Sequence, residues 1–309
     1  VITRTQFPDT FLEDQLPALR VVTMGEYERY KDEYREVFNV EDSDRAIEQF
    51  TEITGFATMA EIAESEPVTY DDPLQAFDKT YVHRKFGRGY KVSQEMIDDD
   101  KFRIVKNLAR ELGISAKETV EIEAALVFDR AFNSSFLGPD GVSLCSTAHP
   151  RVGGGVQSNR PSTNRDLNIP AIEVALTQFS TWTDHRGKKI RCRPKKLVAG
   201  PALEWTMAEI LAGPMRSDTA NNTVNAFRHR AKESPFTDYM VYHYLNDPDA
   251  WFIIGDTSHP RYGLTLFWRK KFDTMSDRDF DTDSVKTAGR MRFSVGWHSW
   301  MGFYGSPGQ

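Results

Sequence analysis

Two residues near the middle of the chain have the types from which a nucleophile can be built. Cys145 and His149 stand four apart in Leu144-Cys145-Ser146-Thr147-Ala148-His149-Pro150. A thiol beside an imidazole is the starting pair for thiol hydrolysis, but it also needs an orienting group and oxyanion donors. The surrounding loop is rich in glycine and supplies neither, so the better reading is a structural loop in which His149-Pro150 fixes a turn. Structural zinc normally takes four Cys or His ligands at recognisable spacing. The chain has two cysteines, Cys145 and Cys192, and they form no pair motif. Asp279, Asp281 and Asp283 are spaced like the opening of a calcium loop. That pattern wants glycine at its sixth position and glutamate at its twelfth, where this chain has Ser284 and Arg290. Gly153-Gly154-Gly155 and Phe86-Gly87-Arg88-Gly89-Tyr90 lack the Lys-Ser/Thr of a phosphate loop. No cofactor and no metal are expected, and the chain reads as a protein that is not an enzyme.

The charges are more informative. From Arg186 to Lys196 the chain carries seven basic residues and no acid: Arg186, Lys188, Lys189, Arg191, Arg193, Lys195 and Lys196. Clustered cations can neutralise phosphate, so non-specific contact with DNA is one reading. Pairing between subunits is the better one. Asp277, Asp279, Asp281 and Asp283 and the acidic first 45 residues (11 acids against 6 bases) would face this run, Arg269-Lys270-Lys271, and Arg84, Lys85 and Arg88. Exposed pairs contribute only ~0–1 kcal/mol each, yet they set register and partner choice. An assembly of many copies multiplies them.

The elements that hold these residues follow from periodicity. Residues 1 to about 24, with Pro8 and Pro17, read as an extended arm. Tyr27, Tyr30, Tyr34, Val37 and Phe38 fall at the spacing of a short helix. The stretch 66–93 favours strand through its β-branched and aromatic residues, yet it carries charge on both alternating faces. Lys79, Tyr81, His83 and Lys85 share one face, and Val82, Arg84 and Phe86 share the other. Such a ribbon has no apolar side to bury in its own domain, and an isolated hairpin is marginal in water. It is therefore expected to lie on another subunit, with Tyr81, His83, Arg84, Lys85 and Arg88 as contact candidates. Phe102, Val105, Leu108 and Leu112 begin a long helix that Gly113 is expected to end. Ser115 and Glu118 are expected to restart it as a capping box. Helices are expected at 170–182 and 201–211, and strands at 190–198, 251–256, 263–272 and 291–303. Trp251, Trp268, Trp297, Trp300, Phe303 and Tyr304 are expected in the core.

The succession of these parts resembles the major capsid proteins of tailed bacteriophages with the HK97-like fold, nearest in feel to the Mu-like major head subunit group. The resemblance rests on Phe56-Ala57-Thr58-Met59-Ala60-Glu61, the charged ribbon ending Tyr90-Lys91-Val92-Ser93-Gln94-Glu95, and Asp98-Asp99-Asp100. It continues through the helix to Phe128-Asp129-Arg130-Ala131-Phe132-Asn133, then Asp140 to Pro150, Ser158-Asn159, Arg193 to Glu204 and the Asn225 region. It spans nearly the whole chain, and its signal lies in the order of parts. It implies an α+β fold with an N-terminal arm at 1–47 and an extended E-loop at 48–97. A P domain with a spine helix would take 98–169, an A domain 170–250, a P-domain strand and loop 251–289, and a C-terminal A-domain segment 290–309. It implies self-assembly into hexamers and pentamers of an icosahedral shell around double-stranded DNA, with decoration or cement, scaffolding and portal proteins as partners. Assembly in the host bacterial cytoplasm and residence in the virion capsid follow from the same resemblance. Many relatives carry an N-terminal scaffolding region that is not visible here. The sequence opens on Val1, as expected of a processed chain or of numbering that omits the initiator.

Composition agrees and sets limits. The chain has 309 residues, a net charge of −6 and 27% charged residues. A dedicated nucleic-acid binder would usually be basic, and no apolar run approaches the ~20 residues that cross a bilayer. The alternatives are an encapsulin-like compartment, a tail or baseplate component, and a thiol hydrolase built on Cys145 and His149.

Overall fold

The structure, a computed structural model, describes residues 16–98, 102–213, 224–229, 236–259, 261–279 and 281–309. The elements run in order α1 (Leu16–Arg29), a 3-10 turn (Tyr34–Glu36), β1 (Asn39–Asp42), β2 (Ile47–Ile53), β3 (Gln75–Val82), β4 (Arg84–Ser93), α2 (Gln94–Asp98) and α3 (Phe102–Asp129). Then come β5 (His149–Pro150), β6 (Val156–Gln157), α4 (Ile169–Thr181), β7 (Pro194–Ala199), a 3-10 turn (Pro201–Leu203), α5 (Glu204–Ala212) and α6 (Ala226–His229). The chain ends in β8 (Asp238–Val241), β9 (Trp251–Gly255), β10 (Leu264–Asp279), β11 (Ser284–Trp297) and β12 (Phe303–Ser306).

Two four-stranded sheets share one core. The first has the order β1-β10-β11-β4 and the second β12-β9-β7-β8. In the first, β10 and β11 form a long antiparallel hairpin, and β4 lies antiparallel to β11. In the second, β9 is buried at every residue, which is why Trp251-Phe252-Ile253-Ile254 reads as a continuous apolar run. The C-terminal end of α3 ties the sheets together. Phe128 meets Phe38, Tyr242, Phe252 and Phe303 in edge-on or tilted ring contacts at 5.2 to 5.8 Å. The expected core aromatics Trp251, Trp268, Trp297, Trp300, Phe303 and Tyr304 are all buried.

Three sequence expectations give way. Gly113 does not end the long helix, because α3 is continuous over 28 residues, about 42 Å at 1.5 Å per residue. The glycine is there for its missing side chain. A Cβ at this position would lie 2.4 Å from the carbonyl oxygen of Thr23, so the glycine lets α1 cross close against α3. Ser115 accordingly sits inside the helix, where its carbonyl accepts the Thr119 hydroxyl at 2.7 Å. Residues 16–24, expected as arm, belong to α1, and Leu19 of that helix packs in a small core with Val92, Val105 and Ala109. The helix expected over 27–38 is correspondingly cut short at Arg29, while Tyr34, Val37 and Phe38 enter the main core. Residues 1–15 of the expected arm lie outside the described residues.

The third correction concerns the charged ribbon. It does not wait for a neighbour over its full length. β4 pairs with β11 from Arg84↔Phe293 to Ser93↔Ser284, and β3 pairs with β2. β4 closes one edge of its sheet, where both faces stay partly wet and alternating charge is tolerated. Only Val92 on this strand is fully buried, with Phe86 and Tyr90 half-buried. What remains free of the body is the connection between β2 and β3.

Candidate assembly surface

The connection from Thr54 to Leu74 leaves the body through a closed neck. The Thr54 amide donates to the Leu74 carbonyl at 2.8 Å, and the Leu74 amide donates back to the Thr54 hydroxyl at 2.8 Å. Arg186, on the turn after α4, reaches into this neck. Its Nη1 donates to both Asp71 carboxylate oxygens at 2.7 and 2.6 Å, and its Nη2 donates to the Asp72 carbonyl at 2.5 Å. The Asp71 carboxyl is held below the usual carboxylate range, first by Arg186 and then by the Ala57 amide. Beyond the neck, every residue from Phe56 to Tyr70 is exposed. Met59 at 101% and Tyr70 at 94% touch essentially nothing, and Phe56, Ile62 and Val68 are exposed with them. Five large apolar side chains exposed within 56–70 are a concentration of uncovered apolar surface, and such concentrations mark candidate interaction sites.

The β2–β3 ribbon that carries this loop is seated by histidines. Phe50 lies 3.7 Å from the His298 ring centroid, and burial pushes the His298 imidazole down to about 4. The Glu52 carboxylate comes 3.2 Å from His185 Nε2, and Phe77 meets the same ring edge-on. Tyr81 packs against Phe267. His83 is bracketed by the Ser43 and Ser294 hydroxyls at 3.0 and 3.1 Å. Its pKa is lowered by burial first and by Arg292 second. Tyr81 and His83, candidates for contact with a neighbour, are thus taken up inside the chain. The pattern that suggested them, alternation along a charged strand, does not reveal which partner strand covers a face.

The other candidates divide in the same way. Arg84 pairs with Glu123 on α3, whereas Lys85 and Arg88 are exposed. At the tip of the β10–β11 hairpin, Asp279 pairs with Lys286, and Asp283 pairs with Arg278 at 2.8 Å. Asp277 and Asp281 remain exposed. Along the basic run, Arg186 serves the loop neck, Lys195 pairs with Asp256 at 2.8 Å, and Lys196 pairs with Glu36 at 2.6 Å and Asp238 at 3.4 Å. Arg193 is half-buried. Lys188, Lys189 and Arg191 are exposed and form no ion pair among the described residues. Sequence reasoning missed the Arg186–Asp71 clamp, and it placed its contact candidates on the charged stretch 81–88 and not on 56–70, although the resemblance implied an extended loop over 48–97. The signal for the loop was present in apolar residues at 56, 59, 62, 68 and 70 that fit neither helix nor strand spacing.

The thiol constellation is not assembled. Cys145 is fully buried, and burial raises its pKa well above the ordinary thiol value. Both His149 nitrogens are engaged elsewhere, Nδ1 with Asp140 at 2.5 Å and Nε2 with Asn159 at 2.9 Å. Asn159 in turn donates to the Leu144 and Phe303 carbonyls at 2.7 and 3.1 Å. The group pins the 138–159 loop to β12, and it gives Cys145 no base.

A family model described as phage capsid protein matches residues 77–306, close to three quarters of the chain. The chain belongs to the phage capsid protein family. Three solved structures share the fold of this capsid protein. A chain from the procapsid of bacteriophage JBD30 is 16% identical with a TM-score of 0.53, the match covering 99% of this chain and 76% of that one. The virus-like particle from Pyrococcus furiosus is 10% identical with a TM-score of 0.55, covering 94% and 98%. Microbacterium phage Oxtober96 is 12% identical with a TM-score of 0.54, covering 91% and 92%. No curated protein sequence matches the chain. The fold is the HK97-like α+β capsid fold, and the capsid protein is a structural shell subunit that assembles with copies of itself.

Proposed function

We propose that this capsid protein builds the icosahedral head of a tailed bacteriophage, as hexamers and pentamers around packaged double-stranded DNA, in the host bacterial cytoplasm. The observation that carries this reading is the loop 56–70, wholly exposed, apolar in part and mounted on a clamped neck. It has the properties of an arm that finishes folding on a neighbouring copy, as disordered or extended segments do when they gain their contacts by binding.

In this reading residues 1–47 form the N-terminal arm and its anchoring helix, and 48–97 form the E-loop region. Residues 98–169, with the α3 spine, and 251–289, with β10 and the tip of the hairpin, form the P domain. Residues 170–250, with the C-terminal 290–309, form the A domain. The hairpin carries the exposed Asp277 and Asp281 outward. Lys85 and Arg88 on β4, and Lys188, Lys189 and Arg191 after α4, are left for acidic surfaces of neighbouring copies or for DNA phosphates. Portal, scaffolding and decoration or cement proteins complete the list of partners, and no enzymatic role is assigned.

Deleting residues 57–70 and imaging the product by negative-stain microscopy tests the reading. The full chain is expected to give closed shells and the deletion soluble, folded monomers or small rings. Closed shells of normal yield from the deletion variant would remove the role given to the loop. Particles that fill with protein cargo and protect no DNA from nuclease would favour a compartment over a virion.

A further inference from the structure

Between α3 and the β4–β11 edge lies a notch of about 280 Å³. Its floor is apolar, made by Leu112, Phe272 and Met291, and its rim carries Arg88 and Arg290 from the two adjacent strands, with Ser115 and Thr119 from the helix. The two guanidinium groups have no carboxylate partner among the described residues. Asp273 stands opposite Arg290 in the strand register, but its carboxylate is engaged by Arg20 at 2.9 Å and approached by Lys270 at 4.0 Å. Arg290 Nε is buried without a hydrogen-bond partner. An unmet buried donor is costly, and a guanidinium fork is best satisfied by a planar carboxylate.

We propose that this notch seats a glutamate of the exposed loop of a second copy, drawn from Glu61, Glu64 and Glu66. The inference rests on reading loop 56–70 as an assembly arm, and it names the surface on which that arm lands. The match is both electrostatic and apolar. The three glutamates lie among exposed Met59, Ile62 and Val68, so a carboxylate entering between the arginines brings methylene and methyl groups onto the apolar floor. A glutamate suits the small, partly apolar notch better than the well-hydrated phosphate of a nucleic-acid backbone. Each contact is weak, and repetition over the shell makes it decisive.

The test uses the full chain in three forms: Arg88→Glu, the loop variant Glu61→Lys/Glu64→Lys/Glu66→Lys, and both sets together. Arg88 is exposed, so circular dichroism of each variant is expected to match the parent. Shell yield by sedimentation at low salt is expected to fall at least tenfold in each single form and to return to within about twofold in the combined form. A combined form no better than its parts, or either single form assembling at the parental yield, overturns the seat. Loss of assembly in the loop variant alone leaves the loop reading standing without this landing site. Normal shells of the Arg88 variant that retain less nucleic acid would assign the notch to phosphate instead. The deletion of residues 57–70 described above decides the loop reading independently.

Discussion

The Asp71 carboxylate faces the Arg186 guanidinium with both oxygens within 2.7 Å of one nitrogen, across a gap of more than a hundred residues in sequence. Together with the Thr54–Leu74 amide pair, this contact gives the exposed loop a direction before any neighbour is present. A flexible loop loses entropy when it docks. Fixing its neck removes part of that loss in advance and leaves the tip free to adapt.

Replacing Arg186 by alanine should therefore affect docking more than folding. The pair is partly exposed, with side chains 20% and 35% accessible, so solvent screening leaves it little weight in global stability. Hydrogen exchange should show the difference. The Thr54 and Leu74 amides are expected to lose protection about tenfold while core amides of β9 stay unchanged. The double exchange Arg186→Asp/Asp71→Arg should recover part of that protection. Unchanged exchange at both amides in the alanine variant would show that the clamp does not hold the neck.

Two glycines on the crossing helices should respond to alanine with opposite sign. At Gly113 a new Cβ would meet the Thr23 carbonyl oxygen at 2.4 Å, whereas at Gly25 nothing lies within 4 Å. Gly25→Ala should stabilise by about 0.5–1 kcal/mol through helix propensity. Gly113→Ala should destabilise by about 1–3 kcal/mol, because overpacking outweighs that gain. Urea midpoints of the two variants measure both. Stabilisation by Gly113→Ala would show that α1 does not press on α3 as described.

Glu121 supplies a pH dependence. It is 2% exposed on α3 and accepts from the amides of Glu33 and Tyr34 at 2.9 and 3.1 Å. Burial raises its pKa to about 7 in spite of those bonds. An ordinary glutamate in the unfolded chain titrates near 4.3. Between these values the folded chain holds a proton that the unfolded chain has released. Stability from this group is thus fully present below about pH 4, falls as pH rises towards 7 by on the order of 3–4 kcal/mol, and levels off above that. Glu121→Gln should flatten the urea midpoint between pH 5 and pH 8. A parental slope that persists in the variant would place the titrating group elsewhere.

Neither thiol should react in the folded chain. Cys145 is fully enclosed, and burial pushes Cys192 up to about 11. The thiolate is the reactive form, so a disulfide reagent at pH 8 is expected to modify both cysteines only as fast as the chain unfolds, and quickly in denaturant. Rapid native-state labelling of Cys145 would reopen its candidacy as a nucleophile.

Periodicity made much of this fold legible. The buried β9 run, the α3 stripe and the turn-and-helix start at Pro170 follow from local rules, and the order of parts carried the family resemblance. The errors have a common physical source. Gly113 looks like a helix end by propensity, and only the approach of α1 explains it. The charged stretch 84–93 looks homeless because β11, the strand that accepts it, lies some two hundred residues further on. The strands expected at 263–272 and 291–303 were seen only where their residues reach the core. The extension of β10 through Asp277 is exposed, and the facing part of β11 buries mainly the small or polar Ser284, Thr287 and Gly289, so the pair carries little apolar signal to read. Contact residues were sought among charges, whereas the loop proposed as the assembly arm is marked by the unburied apolar set Phe56, Met59, Ile62, Val68 and Tyr70.

The outer position of β4 has one more consequence. A strand with one free side offers a row of open amides and carbonyls to any passing strand, including the same strand of another molecule. Lys85, Arg88 and Lys91, exposed and without a carboxylate partner among the described residues, stand along that strand, so two such edges repel each other as they approach. A molecule present at high local concentration with its own copies is thereby guarded against fibrous stacking, and the charge that made this ribbon hard to place in sequence keeps the wrong polymer from forming.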